Sequence, residues 1–238
     1  MKSNKTVQIF LLLLALGLPT LITWIYFIVN KDSSAVVQQT AYGIGKVAQF
    51  LLPIIVVWLA VDQRFGFHWP RKEGMLIGVL FGLATVVLML GFYHWRIAEL
   101  PMLAPLREKI IDKVNGFGVD QAWKFLLMGI WYSVFHSLFE EYYWRWFVFL
   151  QCKKHMSLWW AIVVSSLGFM SHHVLVLGIY LGWQTVFTYQ VSLCIAFGGA
   201  VWAWLYHRTQ SLYPAWLSHG IIDAGIFWIA YQMVKDSL

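Results

Sequence analysis

The feature that most constrains this chain is a series of apolar stretches close to the length that crosses a bilayer. The hydrocarbon core is about 30 Å thick, and an α-helix needs about 20 residues to span it. Such stretches occur at about 7–29, 42–61, 75–95, 121–150, 158–180, 184–206 and 213–234. Because open segments satisfy their backbone groups in lipid only as helices, we predict an all-α polytopic bundle. Seven spans are expected, or eight if the long stretch 121–150 is two pieces.

The composition excludes a soluble globular domain. Hydrophobic residues make up 60% of the 238 residues and charged residues 12%, and the mean hydropathy is +0.66. We therefore predict one integral membrane domain over 1–238, with the lipid bilayer as its surroundings. Two cysteines, Cys152 and Cys194, are too few for a disulfide framework and have no metal-type spacing.

The net charge of +6 does not indicate nucleic acid, because the basic residues are scattered over short loops. Their positions fit the role of setting the orientation in the membrane, since Lys and Arg are enriched in the cytoplasmic loops of membrane proteins. If the N-terminus is cytoplasmic, more of these basic residues lie inside than outside. The apolar run at 7–29 is too long for the hydrophobic part of a signal peptide, so we predict that it is a retained first span. The inside set is Lys2, Lys5, Arg64, Arg71, Lys72, Lys153, Lys154 and Arg208, against Lys31, Arg96, Arg107, Lys109, Lys113 and Lys235.

Two further patterns concern packing. Gly74, Gly78 and Gly82 are spaced by four, and Gly178 and Gly182 repeat the interval, which favours close helix approach. In the loop 96–120, Leu106, Ile110 and Val114 share one helical face. This face suits either a helix at the membrane interface or an ordinary solvated loop helix.

Ionisable side chains inside the predicted spans are the strongest indication of function. Each costs roughly 2.5 to 3.5 kcal/mol in hydrocarbon on insertion scales, so such residues are expected to face the bundle interior with partners. The set is Lys46, Glu140, Glu141, Arg145, His172, His173, His219 and Asp223.

The fourth span carries two adjacent carboxylates. At an α-helical period, Glu141 and Arg145 share a face and can pair, which would fix helix packing. Glu140 then points about 100° away and has no partner on its own helix. A buried carboxylate of this kind is suited to taking a proton from water.

The fifth and seventh spans carry the imidazoles. His173 shares a face with Phe169, whereas His172 points away and fits a core residue. His219 and Asp223 also lie four residues apart on one face. We predict that these polar faces converge with Glu140 around one hydrated pocket that activates water and stabilises an oxyanion.

Three motifs resemble those of the CPBP intramembrane proteases, which include the type II CAAX prenyl endopeptidases and bacteriocin-processing or self-immunity proteins. The family pattern EExxxR is similar to Glu140, Glu141 and Arg145; FxxxH is similar to Phe169 and His173; HxxxN/D is similar to His219 and Asp223. The resemblance covers about 120–235, a predicted catalytic core. It leaves the N-terminal spans, 1–95, without an assigned role.

The resemblance implies a glutamate-dependent endopeptidase that uses no metal and no cofactor. Glu140 would be the general base, and His173 would position the water. His219 and Asp223 would stabilise the oxyanion, with Glu141 and Arg145 holding the helix in register and Phe169 and His172 in support. Many relatives have Asn where this chain has Asp223, so Asp223 is either protonated or accepts a hydrogen bond from His219; we favour the second.

The implied partner is a membrane-associated peptide or protein, which could carry a lipid or be cut near its C-terminus, and the implied location is a bacterial inner membrane. Neither nucleic acid nor a particular oligomeric state is expected. Three alternatives stay open from the residues alone. One is a non-catalytic immunity or partner-binding protein; another is a metal-dependent hydrolase using Glu140, His173, His219 and Asp223. Proton transport is the third.

Overall fold

A computed structural model describes residues 4–59, 68–70, 72–98 and 103–238. Within these ranges the chain is almost entirely helical and has no strand, which confirms the all-α prediction. The α-helices are α1 (Lys5–Trp24), α2 (Ala35–Leu59), α3 (Lys72–Phe92), α4 (Leu103–Gly116), α5 (Ala122–Trp131), α6 (Ser137–Glu141), α7 (Leu150–His155), α8 (Leu158–Leu181), α9 (Val186–Thr209) and α10 (Tyr213–Val234). π-helical segments occupy Ile25–Val29, Tyr93–Ile97, Tyr132–His136 and Tyr142–Phe149.

Five helices in the described part are long and apolar enough to cross a membrane: Lys5–Val29, Ala35–Leu59, Lys72–Ile97, Leu158–Leu181 and Val186–Thr209. They correspond to five of the predicted spans. Their surfaces expose large apolar side chains such as Val36, Trp58 and Leu88, as expected of a multi-pass membrane protein.

The other two predicted spans are helical but do not belong to this set. The stretch 121–150 is divided among α5, α6 and two π-helical segments, and 213–234 is α10. The count of seven or eight crossings therefore stays a prediction. Lys2, Arg64 and Arg71, which contributed to the predicted orientation, lie outside the described residues, as does the end of the stretch 42–61.

The chain divides into two compact units. The first consists of Met1–Phe67 and Tyr142–His207, and the second of His68–Glu141 and Arg208–Leu238. The predicted catalytic core, 120–235, therefore draws residues from both units.

In the first unit, a proline in α1 accounts for a bond to a distant tyrosine. Pro19 has no N–H, so the carbonyl four residues earlier, on Ala15, loses its helical donor. The Tyr143 hydroxyl donates to that carbonyl at 2.6 Å, and both residues are fully buried. Because an unsatisfied carbonyl is costly in lipid, the tyrosine compensates for the proline.

Lys46 lies in the same unit, within α2. Its ammonium group is 5.5 Å from the ring centre of Tyr42 and 5.6 Å from that of Phe50. Cation–π contacts of this kind help a charged side chain to lie within an apolar helix.

In the second unit, α3 packs along α10 through the predicted glycine stripe. A Cβ at Gly78 would collide with the Pro214 carbonyl oxygen, and one at Gly82 would lie 3.0 Å from the Ser218 carbonyl oxygen. Only residues without a side chain permit this approach, so the predicted packing role of the stripe is confirmed.

The other two glycines of that pattern serve different purposes. A Cβ at Gly178 would meet the Trp183 ring of the same unit. Gly182 follows the last residue of α8 and has a φ of 95°, a positive value that favours glycine at the end of the helix. The repeated interval therefore does not mark a second helix–helix contact there.

Helix α4 confirms the helical pattern predicted for the loop 96–120. Val114 is buried with Phe125 and Val234, and Ile110 packs against this cluster. The predicted apolar face thus packs inside the second unit. Its position at a membrane interface stays a prediction.

Candidate active site

Glu140 and Glu141 end a very short helix between two π-helical segments. The segment Tyr132–His136 precedes α6, and Tyr142–Phe149 begins directly after Glu141. π-helical turns are rare and often occur at functional sites. Both carboxylates are buried, with relative exposures of 2% for Glu140 and 0% for Glu141.

His219 reaches these carboxylates from α10, which approaches the backbone of Tyr132–His136 closely. A Cβ at Gly220 would collide with the Ser133 carbonyl oxygen, so only glycine fits beside His219. The Trp216 indole donates to the Val134 carbonyl at 2.8 Å one turn earlier. These contacts fix the position of α10 against the segment Tyr132–His136, and with it the position of His219.

The imidazole of His219 is hydrogen-bonded to Glu141. Its Nδ1 lies 2.9 Å from Glu141 Oε1, and both side chains are buried. Because an ionised carboxylate only accepts, Nδ1 carries the proton in this bond. Glu141 therefore fixes both the orientation and the Nδ1 proton of the ring.

Two further carboxylates lie beside Nε2 of His219. Asp223 Oδ1 is 3.6 Å away and Glu140 Oε2 is 3.8 Å away. Both distances are longer than a direct hydrogen bond allows. His219 is thus surrounded by three carboxylates, all within the second unit.

Glu140 has a partner that the sequence interpretation missed. His136 Nε2 lies 3.8 Å from Glu140 Oε1, at the i,i+4 spacing. The prediction that Glu140 lacks a partner on its own helix was therefore wrong. The signal is present in the sequence as the HxxxE spacing of His136 and Glu140.

Arg145 belongs to the first unit and is fully buried. Its guanidinium lies 4.9 Å from the ring centre of Phe169 and 5.3 Å from that of Trp202. The predicted pair with Glu141 would join the two units and stays a prediction. Its α-helical basis does not hold, since the chain is π-helical from Tyr142 onward.

The remaining predicted site residues lie on α8 in the first unit. His173 Nδ1 donates to the Phe169 carbonyl at 2.9 Å, and the two rings lie 4.7 Å apart. A carbonyl only accepts, so Nε2 is the acceptor atom of the neutral ring. His172 is buried and stacks parallel to Trp144 at 6.0 Å, as predicted for a core residue. The predicted convergence of His173 with Glu140 joins residues of different units and stays a prediction.

Comparison with known families finds one match that overlaps the candidate site. Residues 122–225 match the family described as type II CAAX prenyl endopeptidase Rce1-like. This segment is therefore similar to an Rce1-like domain. The match runs from the start of α5 into α10 and contains every predicted site residue from Glu140 to Asp223.

The Rce1-like match covers a little under half of the chain and confirms the predicted family resemblance. The family implies a protease in a multi-pass membrane protein. Comparison with curated proteins and with solved structures finds no match for the chain.

Proposed function

We propose that this chain is an intramembrane endopeptidase of glutamic type. It hydrolyses a peptide bond near the C-terminus of a membrane-associated, prenylated substrate, in a bacterial inner membrane with its own N-terminus in the cytoplasm. The Rce1-like match supports the substrate class. The observation that carries the proposal is the placement of the His219 ring among three carboxylates, Glu141, Asp223 and Glu140, at 2.9, 3.6 and 3.8 Å.

Glu140 is the general base. Its carboxylate takes one proton from water while the water oxygen bonds to the scissile carbonyl carbon, and the carbonyl electron pair moves onto oxygen. The tetrahedral intermediate then expels the amine nitrogen, which receives the proton from Glu140. The carboxylate is regenerated and no other reagent is consumed.

His219 stabilises the oxyanion through Nε2–H. The Glu141 bond holds the ring by Nδ1, so Nε2 points toward Asp223 and Glu140. Because Glu141 already holds Nδ1–H, a proton on Nε2 makes the ring an imidazolium, whose positive charge the three surrounding carboxylates favour; its Nε2–H can then be donated to the developing negative charge. This extends the preferred role of Asp223 as an acceptor for His219.

His173 positions the attacking water in the proposal. Its Nδ1–H is held by the Phe169 carbonyl, so Nε2 can accept a hydrogen bond from water. The Arg145 guanidinium lies over the Phe169 ring, which in turn packs 4.7 Å from the His173 ring.

The substitution Glu140→Gln tests the proposal, because the amide is similar in size but cannot accept the proton. We expect cleavage of a quenched fluorescent peptide ending in a farnesylated CAAX sequence to fall by roughly 100-fold or more. The assay uses purified full-length protein in liposomes with EDTA present, so that a metal-dependent activity would be removed.

The matched control is Glu108→Gln, which changes an exposed carboxylate on α4. It should cleave like the wild type. Equal cleavage by wild type and Glu140→Gln would overturn the glutamic mechanism. No EDTA-resistant cleavage by the wild type would overturn the proposed activity on this substrate class.

A further inference from the structure

The Glu140 carboxylate lies between two imidazoles. Oε1 is 3.8 Å from His136 Nε2, and Oε2 is 3.8 Å from His219 Nε2. Only His219 has a part in the mechanism above. His136 belongs to none of the three motifs, yet it approaches the proposed base as closely as His219 does.

Packing holds the His136 ring in this position. It lies 4.8 Å from the Tyr132 ring, one turn earlier in the π-helical segment. Tyr132 in turn packs at 5.3 Å against Phe227 of α10. The helix that carries His219 therefore also supports, through Tyr132, the imidazole on the opposite side of Glu140.

We infer that His136 is a positioning residue for Glu140, an inference that rests on the proposed function. The terminal torsion of a glutamate side chain is broad, so a carboxylate beside one imidazole can still rotate. A second imidazole near the other oxygen, at ion-pair distance although beyond a direct hydrogen bond, restricts that rotation. The two histidines together aim the carboxylate at the attacking water, and His136 itself touches no substrate.

The substitution His136→Phe separates this role from packing. Phenylalanine keeps a ring against Tyr132 and removes the nitrogen that faces Glu140. We expect kcat to fall by roughly 10 to 100-fold on the farnesylated peptide, because small misplacements of catalytic groups carry penalties of this order. KM should stay the same within about twofold, since substrate contacts are unchanged.

His136→Gln provides the rescue, because its amide can donate to Oε1, and it should recover part of the lost kcat. Phe135→Ala is the matched control, removing an exposed ring from the same segment, and should behave like wild type. Wild-type kcat in His136→Phe, a rise in KM without a change in kcat, or no recovery in His136→Gln would each overturn the inference.

These outcomes are distinct from failure of the proposed function. If Glu140→Gln cleaves like the wild type, Glu140 is not the base and both proposals are overturned. If Glu140→Gln abolishes cleavage while His136→Phe cleaves normally, only the role of His136 is overturned.

Discussion

Glu141 shows at the residue scale that spacing along one helix does not reveal every partner of a side chain. The EExxxR pattern favoured Arg145 for Glu141, yet the hydrogen bond that the structure describes runs from His219, 78 positions away in sequence. Sequence identified the carboxylates and His219 by their cost in apolar spans. Which carboxylate contacts which imidazole depends on how α10 packs, so residue spacing along one helix could not predict these contacts.

We predict that Glu141→Gln retains much more activity than Glu141→Leu. The Gln side-chain carbonyl can still accept from His219 Nδ1, whereas Leu leaves that N–H buried without an acceptor. A hydrogen bond to a charged group contributes about 1.5 to 3 kcal/mol, so Leu should lower kcat by roughly 10 to 150-fold. Peptide cleavage measures the difference. Equal activity of the two variants would show that this bond does not orient His219.

At the scale of elements, the glycine stripe of α3 was the most informative packing signal in the sequence. Its interval of four predicted a close helix approach, and α10 provides it. The same interval at Gly178 and Gly182 did not, because α8 ends between these two glycines, at Leu181. The π-helical segments beside α6 were not predicted at all, since no residue type in 132–149 marks the change of period.

We expect Gly78→Ala to destabilise the protein and Gly91→Ala to leave it unchanged. Both glycines lie in α3, but a Cβ at Gly78 meets the Pro214 backbone, whereas one at Gly91 has nothing within 4 Å. Overpacking of this kind costs about 1 to 3 kcal/mol. Thermal unfolding in detergent should show a lower midpoint for Gly78→Ala alone. A shift of the same size in both variants would mean that helix propensity, not the contact, is responsible.

At the scale of the whole molecule, hydropathy correctly predicted an all-α, multi-pass protein, because lipid permits few alternatives. It could not decide the number of crossings, since the stretch 121–150 is divided into short helical pieces and α10 is not among the five helices long and apolar enough to span a membrane. The three motifs located the Rce1-like segment, but the spans at 1–95 carried no motif and had no predicted role. The bond from Tyr143 to Ala15 gives the first of them a structural role.

This role can be measured with a double-mutant cycle of Tyr143→Phe and Pro19→Ala. In the wild-type background, Tyr143→Phe leaves the Ala15 carbonyl unsatisfied and should cost about 1 to 3 kcal/mol. With Ala at position 19, a backbone N–H can donate to that carbonyl, so the same change should cost less. Unfolding midpoints of the four proteins in detergent provide the test. An identical cost in both backgrounds would disprove the compensation.

The hydrogen bond to the Ala15 carbonyl also has a consequence for the order in which the protein is synthesised and inserted into the membrane. Its donor lies 128 residues further along the chain, so α1 is synthesised and inserted long before Tyr143 exists. Until then the carbonyl must be satisfied by water or by a translocon component, because bare lipid offers no donor. The newly synthesised first helix is therefore expected to reach its final position in the membrane only after Tyr143 has been synthesised and inserted.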